Sequence, residues 1–507
     1  MANTDYAYRR LVNTLGPERV ARTEFDRMVY SHDFASLPKI ALLQWRLYPD
    51  FVVLPQTTEE VSAIVRLSDE SGLPIVPRGG GTGWYGGAVP NRGGVLVDLR
   101  KMNKVRAFDP QARTVTVEAG ATWQDVAEYV DARGLALPSL PTNAMASTIG
   151  GAINSDVVGF GAFRNGATRQ VVRDLEVVLP DDRVLHTARA GDAVGSYADL
   201  TPFFFGAEGT LGVITAATLR LDPKPDLMKP VAYAFKGTEE AATFIQAVVD
   251  SGVQPYHLSL LDREHFVFER ALHADSPEPA DLVLACLAGP KDDVADQEKT
   301  LDALAPKFRG TKRPPEEPEY LWDHRFRMYS ARRMSRGLIV ANNVVPLARL
   351  PEACATARRL IRRMKLNGAV HTFPMDAASA ILAPYVLTDD TTPSGGTALG
   401  YVKKLGDAAF ELGGHPMGLG LFMVFNLRTM HGRAAPYTAY VKDVFDPKRK
   451  VNPGKTIEVW TKYTFPGLRA VPPPAMRVGL DLAAFFRRIK PTQDKFVRAY
   501  ERRKEVE

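Results

Sequence analysis

Cysteine is scarce in this 507-residue sequence, which contains only Cys286 and Cys354. The two are far apart and form no C-x-x-C pair, so the chain alone cannot hold an iron–sulfur cluster, and no disulfide framework is expected. No apolar run approaches the roughly 18 to 20 residues that a membrane span requires. Residues 1–10 lack the apolar core of a secretory signal, so we expect a cytoplasmic protein.

A strong charge imbalance is also absent, because 64 basic and 58 acidic residues leave a net charge of +6. No long basic stripe occurs before the C-terminal region, so nucleic acid is not an expected partner. The apolar share of 45% is ordinary for a folded protein with a large core. The length predicts roughly two to four domains.

Glycine is abundant in one stretch, from Pro77 to Ala88, where half of the residues are glycine. Such loops let backbone N–H groups converge on an anion, usually a phosphate. The stretch contains a G-x-G-x-x-G pattern from Gly81 to Gly86, but a strand pattern, Val95–Leu99, follows it instead of a helix. This order excludes the usual dinucleotide fingerprint and predicts a strand–glycine loop–strand unit that binds phosphate. The alternative is a tight loop without a ligand.

Two further loops rich in small residues follow, and each lies next to predicted strands. The second loop runs from Thr148 to Gly151 and on to Gly161, and the third, Phe205–Gly212, leads directly into a strand that begins at Val213. Three such loops exceed the needs of one phosphate group. They indicate a long ligand that lies between two subdomains.

These loops closely resemble the FAD-binding domain of the vanillyl-alcohol oxidase/p-cresol methylhydroxylase superfamily. Residues Phe445–Pro447 and Asn452–Lys455 resemble the C-terminal signature of its glycolate oxidase flavin subunit and D-lactate dehydrogenase branch. The resemblance covers roughly residues 51–455 and implies an α+β protein. Its FAD-binding domain, of the p-cresol methylhydroxylase (PCMH) type, would comprise two α/β subdomains, and its α+β cap domain would contain an antiparallel sheet.

The resemblance and a stiff polar break at Asp222–Pro225 together divide the chain into five expected segments. They are an N-terminal helical arm (1–46), the FAD-binding domain (47–222), a cap or substrate domain (223–438), a C-terminal segment that returns to the FAD-binding domain (439–465) and a basic helical tail (466–507).

The resemblance implies FAD as the cofactor, with its pyrophosphate on the first loop. Some relatives attach FAD covalently through a histidine in this loop, but here the loop contains Thr82 and no histidine, so noncovalent FAD is expected. The implied cofactor-binding residues are Arg78, Gly79, Gly80, Gly81, Thr82, Gly83, Trp84, Ser147, Thr148, Gly150, Gly151, Asn154, Gly161, Glu208, Gly209, Gly212, Val213, Ile214 and Asn452.

The 2-hydroxyacid branch of this family carries a divalent metal, held by a His-x-Gly-Asp-Gly-Asn-x-His stretch and a Glu-His-Gly-x-Gly stretch. His371 matches the first ligand, but Ala378 replaces the second histidine. Pro416 and Met417 replace the glutamate and histidine of the other stretch. One nitrogen ligand is too few for a site of the usual kind, so no metal is expected.

His371 and His415 are candidates for a general base, because an unperturbed imidazole titrates near neutral pH. They would act together if the fold brought both to the flavin. The alternatives are a core histidine at position 371 and a turn residue at position 415.

Arg325 closes the stretch Leu321–Arg325, which resembles the family's Leu/Phe-Trp-x-x-Arg motif, whose arginine meets the substrate carboxylate. A guanidinium binds a carboxylate in two-pronged geometry. Arg327, Arg332 and Arg333 lie nearby and are alternatives for this role, and a solvated basic face is the alternative for the whole cluster.

The resemblance implies an FAD-dependent dehydrogenase that moves a hydride from a hydroxyl-bearing carbon of a small molecule, favouring a 2-hydroxyacid, to flavin N5. Electrons would then pass to a separate acceptor, such as an iron–sulfur protein, an electron-transfer flavoprotein, a quinone or oxygen. The alternatives are an alcohol oxidase of the same superfamily and a flavin-bearing electron-transfer subunit whose substrate site has eroded.

The tail is helix-like and basic from Leu480 to Lys504, with a break at Pro491, and Pro472–Pro474 separates it from the preceding chain. A basic amphipathic segment suits an acidic protein partner or an anionic membrane surface, so peripheral membrane association is one expectation. The alternative is a helix that folds back on the body.

Overall fold

The computed structural model describes residues 4–36, 46–187, 199–389, 391–418, 420–421, 423–457 and 473–489. The protein is α+β, with a first part built on two small sheets and a second part built on one large antiparallel sheet.

The first subdomain is a four-stranded sheet with helices packed against it. Strands β2, β4 and β3 run parallel, and β1 pairs antiparallel with β2. Thr57 starts α3 by accepting the N–H of Glu60, and Gly72, at φ of +69°, ends it. The elements are α1 (Thr4–Leu15), β1 (Val20–Ala21), α2 (Glu24–Val29), β2 (Phe51–Val53), α3 (Thr58–Ser71), β3 (Ile75–Arg78) and β4 (Val95–Asp98). The glycine-rich stretch thus joins two strands, which confirms the strand–loop–strand prediction.

The second subdomain is a five-stranded antiparallel sheet in the order β5-β6-β10-β8-β9. Its helices bury Trp123 and Ile149 against strand residues such as Val177 and Leu219. Its elements are β5 (Val105–Asp109), β6 (Thr114–Glu118), α4 (Trp123–Asp131), β7 (Leu135–Ala136), α5 (Ile149–Ser155), α6 (Ala162–Asn165), α7 (Thr168–Val171), β8 (Val172–Val178), β9 (Val184–His186) and β10 (Val213–Arg220).

The cap contains an eight-stranded antiparallel sheet in the order β15-β12-β14-β13-β19-β20-β17-β22, and a small sheet in the order β16-β21-β18. Its elements are β11 (Asp222–Pro223), β12 (Leu227–Phe235), α8 (Thr238–Asp250), β13 (His257–Leu261), α9 (Arg263–Leu272), β14 (Asp281–Gly289), α10 (Lys291–Leu304), β15 (Thr311–Lys312), α11 (Glu316–Asp323), β16 (Gly337–Val340), β17 (Asn343–Pro346), α12 (Leu350–Arg363), β18 (Asn367–Ala369), β19 (His371–Pro374), β20 (Ser379–Leu382), β21 (Tyr385–Thr388), α13 (Pro393–Glu411) and β22 (His415–Pro416).

The chain after the cap returns to the first part of the molecule through α14 (Leu427–His431) and α15 (Ala435–Phe445). Phe445 packs against Phe203 and Phe204 of the second subdomain. The following segment lies beside β3, where the Ile75 N–H donates to the Lys450 carbonyl and the Ile75 carbonyl accepts the Asn452 N–H. These contacts place Asn452 next to the glycine loops.

The described part of the tail, helix α16 (Pro473–Ile489), packs on α13 of the cap. Ala484 is buried against Gly400, and the Asp481 carboxylate accepts hydrogen bonds from Lys403 at 2.9 Å and Lys404 at 2.8 Å. The helix begins at Pro473, inside the triple proline, because proline is tolerated in a first turn. This part of the tail therefore folds back on the body.

Residues 458–472 and 490–507, which include most of the predicted basic cluster, lie outside the described residues. Binding of an acidic partner or a membrane surface by that cluster stays a prediction. Among the helices that the structure describes, none has the length and apolar character needed to cross a bilayer.

Candidate active site

A large cavity lies where the three glycine-rich loops meet the cap, and it encloses about 1540 Å³ of space, counting the part open to solvent. Most of the predicted cofactor-binding residues contribute to its wall. They are Arg78, Gly79, Gly80, Gly81, Thr82, Gly83, Trp84, Ser147, Thr148, Gly150, Gly151, Asn154, Glu208, Gly209 and Ile214.

The first loop offers N–H groups that the protein itself does not use. Within the described part of the chain, the N–H groups of Gly80, Gly81, Thr82 and Gly83 donate no hydrogen bond to a protein acceptor. Arg78 adds a positive charge at the same wall, although burial lowers the pKa of its guanidinium. Free N–H groups beside a cation suit a phosphate anion.

The second loop differs because the protein uses its N–H groups. The N–H groups of Ile149 and Gly150 donate to the carbonyls of Ala121 and Ala119, both at 2.9 Å, and that of Gly151 donates to the Thr148 hydroxyl at 3.3 Å. The second loop therefore shapes the cavity wall, and the predicted phosphate contact belongs to the first loop.

The two loops approach each other so closely that side chains are excluded. A Cβ at Gly79 would lie 2.0 Å from the Thr148 hydroxyl, and a Cβ at Gly80 would lie 2.0 Å from the Ala146 carbonyl oxygen. Real Cβ atoms do not come this close to another heavy atom. These two glycines are thus required by the packing of the loops, whether or not a ligand is bound.

Two asparagines hold the loops together. Asn154 donates to the Gly150 carbonyl at 3.0 Å and accepts the Gly209 N–H at 2.9 Å, which links the second and third loops. Asn452 donates to the carbonyls of Gly87 at 2.9 Å and Glu208 at 2.7 Å, which links the first and third loops to the returning chain. Asn154 lines the cavity, whereas Asn452 holds the loops together without lining it.

Three other predicted cofactor-binding residues also lie away from the cavity wall. Gly161, at φ of +82°, packs against Tyr256 and the Pro138 carbonyl, and Gly212 packs against β8. Val213 is fully buried in the core. Like Asn452, these residues help to form the loops but do not line the cavity. The sequence motif included them because it extends over the strand and turn positions around each loop.

The cap supplies cavity residues that the sequence did not indicate. Tyr85, at the end of the first loop, accepts the Asn342 N–H at 3.1 Å and so joins the loop to the cap. The only sequence signal for the cap wall was the proximity of Phe373 and Met417 to the two degenerate metal motifs. The additional wall residues contributed by the cap are Tyr329, Asn342, Phe373, Ile381, Ala383, Met417 and Gly418.

A second, smaller cavity, of about 490 Å³ counting the part open to solvent, lies where Phe160 of the second subdomain meets the cap. It is lined by Arg325, His257 and His371, together with aromatic and polar residues of α9 and α11. The Phe373 ring, which lines the large cavity, lies 5.3 Å from the His371 ring between centroids. The two cavities are therefore neighbours.

Arg325 is a largely buried cation with no acidic partner among the described residues. Its guanidinium donates to the Trp322 carbonyl at 2.6 Å and lies over the rings of Trp322 at 4.5 Å and Phe326 at 4.6 Å. Burial lowers its pKa, but an arginine remains charged at neutral pH. A partly buried guanidinium that forms no ion pair favours binding of an anion.

His371 is buried, and neither ring nitrogen has a hydrogen-bond partner among the described residues. Burial, together with His265 and His257 nearby, holds its pKa well below the usual value. The ring is therefore neutral at neutral pH and has one nitrogen able to accept a proton.

His415 does not join His371. It is exposed on the edge strand β22, and its Nδ1 donates to the Pro416 carbonyl at 2.9 Å. Strand β22 lies three strands from β19, a separation of about 14 Å. The structure therefore contradicts the expectation that two imidazoles at positions 371 and 415 meet at the flavin.

The positions of the degenerate metal motifs are also separated. Ala378 is exposed in the turn between β19 and β20, whereas Met417 lines the large cavity. No group of three or more histidine, cysteine, aspartate or glutamate side chains that could hold a metal occurs among the described residues. That the protein works without a metal stays a prediction.

Residues 49–188 match the FAD binding domain family, and residues 224–456 match the family of C-terminal domains of FAD linked oxidases. The probable mitochondrial D-lactate dehydrogenase of Danio rerio is 30% identical over 431 residues, which cover 81% of this chain and 85% of that protein. The chain belongs to the FAD-linked oxidase family. As expected for a member, its fold resembles that of p-cresol methylhydroxylase with substrate bound, at a TM-score of 0.76 and 18% identity over 89% of this chain and 96% of the other.

The glycolate oxidase subunit GlcD of Bacillus subtilis (strain 168) is 33% identical over 301 residues. The match covers 59% of this chain and about three fifths, 62%, of that protein. The cofactor of this FAD-linked oxidase is FAD, and the large cavity fits it, since free N–H groups beside Arg78 suit a pyrophosphate and the cap wall suits an apolar ring.

Proposed function

We propose that this FAD-linked oxidoreductase oxidises a small 2-hydroxyacid at its hydroxyl-bearing carbon. The observation that carries the proposal is Arg325, a half-buried cation that forms no ion pair among the described residues, in a cavity next to the FAD cavity. The names of the two relatives, a glycolate oxidase subunit and a D-lactate dehydrogenase, support the same substrate class.

In the proposed reaction Arg325 binds the substrate carboxylate in two-pronged geometry. This contact places the hydroxyl-bearing carbon toward Phe373, the residue between the two cavities. His371 accepts the hydroxyl proton as the C–H bond breaks, because its neutral ring has a free lone pair. FAD, when bound, supplies the two-electron acceptor for the hydride.

The apolar wall of the large cavity has a second role in this scheme. Phe373, Ile381, Ala383 and Met417 exclude water from the region between the cap and the flavin side of the cavity. Exclusion of water strengthens the contact between Arg325 and the carboxylate. Electrons then leave to a separate acceptor, which we propose to be an iron–sulfur protein, an electron-transfer flavoprotein or a quinone.

Anaerobic bleaching of the oxidised flavin tests the proposal. FAD-loaded protein is mixed with glycolate, both enantiomers of lactate and larger 2-hydroxyacids, and with 1,2-propanediol as the analogue of lactate that lacks the carboxylate. At least one 2-hydroxyacid should bleach the flavin, and the diol should not. Bleaching by the diol at an equal rate would contradict the role of the carboxylate. Bleaching only by a reduced protein partner would favour an electron-transfer subunit instead.

A further inference from the structure

The second cavity contains a histidine that neither the sequence motifs nor the proposed reaction uses. Strands β13 and β19 are antiparallel, with Leu261 opposite His371. Alternate residues of a strand face the same side of a sheet. His257 and Leu261 of β13 therefore share one face of the cap sheet with His371 and Phe373 of β19, and both histidines line the second cavity.

The His257 side chain is surrounded by aromatic rings. Its ring centroid lies 4.8 Å from that of Phe160, 6.0 Å from that of Trp322 and 6.1 Å from that of Phe373. The residue is 3% exposed, and its Nε2 has no hydrogen-bond partner among the described residues. Buried polar atoms of folded proteins are nearly always hydrogen-bonded, so this nitrogen is available to a group that enters the cavity.

Arg325 lies in the same surroundings. Its guanidinium is 5.9 Å from the Phe160 centroid and 4.5 Å from that of Trp322, two of the rings that also contact His257. Burial and the charge of Arg325 lower the pKa of His257 to about 3. The ring is therefore neutral at neutral pH and has a single N–H to donate.

We propose that His257 is a carboxylate-binding residue, which donates its Nε2–H to the same substrate carboxylate that Arg325 binds. This inference rests on the proposed function and adds to it a residue that determines specificity. A carboxylate has lone pairs for both a guanidinium fork and an imidazole N–H. His371, on the same face of the sheet, then remains available for the substrate hydroxyl.

Two substitutions at position 257 separate hydrogen bonding from packing. His257→Phe keeps an aromatic ring and removes the N–H, whereas His257→Gln keeps an N–H donor. The matched control is His415→Phe, which makes the same change at an exposed position outside both cavities. If His257→Phe fails to load FAD, His257→Leu makes the same comparison with a smaller apolar side chain.

The measurement is the dissociation constant of oxalate and of pyruvate, which are not oxidised in this reaction, from the change they cause in the flavin spectrum. His257→Phe should weaken binding by roughly tenfold, equivalent to 1.4 kcal/mol, and His257→Gln by less. His415→Phe should bind as the wild type does. In turnover, His257→Phe should raise KM far more than it lowers kcat, with unchanged flavin content.

The outcomes distinguish this inference from the proposed function. If no 2-hydroxyacid bleaches the flavin, but oxalate binds the wild type and not His257→Phe, the proposed reaction fails and the anion contact of His257 stands. If His257→Phe binds both anions as tightly as the wild type, or if the wild type binds neither, the inference is overturned.

Discussion

The large and the small cavity described above are built from different chemical groups. The large cavity is shaped mainly by backbone atoms of three loops, and its predicted phosphate site consists of N–H groups in the first loop. The small cavity is lined by side chains, and its ionisable groups include Arg325, His257 and His371. The first cavity is therefore sensitive to added side-chain volume, and the second to the loss of particular functional groups.

The largest effect is expected from a side chain added to the first loop. Gly80→Val should abolish FAD loading, because its Cβ would lie 2.0 Å from the Ala146 carbonyl oxygen. Flavin content per chain, measured by absorbance after purification, checks this result. Gly479→Val on the tail helix is the matched control, since no heavy atom lies within 4 Å of its Cβ, and it should retain FAD. Normal flavin content in Gly80→Val would contradict the role assigned to loop packing.

Removal of the proposed base should affect turnover and spare the cofactor. His371→Phe should lower kcat by roughly a hundredfold or more, the usual range for a general base, with normal flavin content. The measurement is the rate of anaerobic flavin reduction at saturating substrate. Because His415 is exposed and outside both cavities, His415→Phe should reduce flavin at the wild-type rate. Equal rates in both variants would remove His371 from the chemistry.

A conservative change at Arg325 tests the anion site itself. Arg325→Lys keeps the positive charge but loses the planar fork, so kcat/KM should fall by roughly tenfold to a hundredfold. Steady-state kinetics with the best 2-hydroxyacid provide the measurement, and flavin content should stay normal. Arg333→Lys, at an exposed position outside the second cavity, is the control. If both variants behave like the wild type, the carboxylate binds elsewhere.

The smallest effect is expected far from both cavities, in the tail helix. Asp481→Asn weakens the contacts with Lys403 and Lys404, while Lys403 retains Asp407 at 2.5 Å. The free energy of unfolding should fall by about 1 kcal/mol, with unchanged flavin content and unchanged reduction rate. Chemical denaturation measures the change, and Glu411→Gln on α13 is the control. A large loss of activity in Asp481→Asn would show that the tail acts on the site.

The same contrast explains which features the sequence could predict. The β3–loop–β4 unit occupies one continuous stretch, so glycine spacing and strand patterns were enough to predict it. The glycine pattern could not show that Gly80 is required by the backbone of the second loop, because that contact joins residues far apart in the chain. Local sequence preferences identify a loop, whereas tertiary packing determines which of its positions have no room for a Cβ atom.

The small cavity was only partly predictable. Arg325 was found because a short motif surrounds it, but His257 has no motif and is identified only by the pairing of β13 with β19. His415 shows the opposite error. It is close in sequence to Met417, which lines the large cavity, but it lies on an edge strand and not at the cavity. A site whose side chains come from separate strands requires the sheet order, which a single sequence does not contain.

A crystal structure of the FAD-loaded protein with oxalate would test most directly whether the small cavity is the carboxylate site. The expected result is a carboxylate in the small cavity, within about 3 Å of the Arg325 guanidinium and of His257 Nε2. Oxalate bound outside the small cavity, with Arg325 still on the Trp322 carbonyl and no other partner, would contradict the assignment.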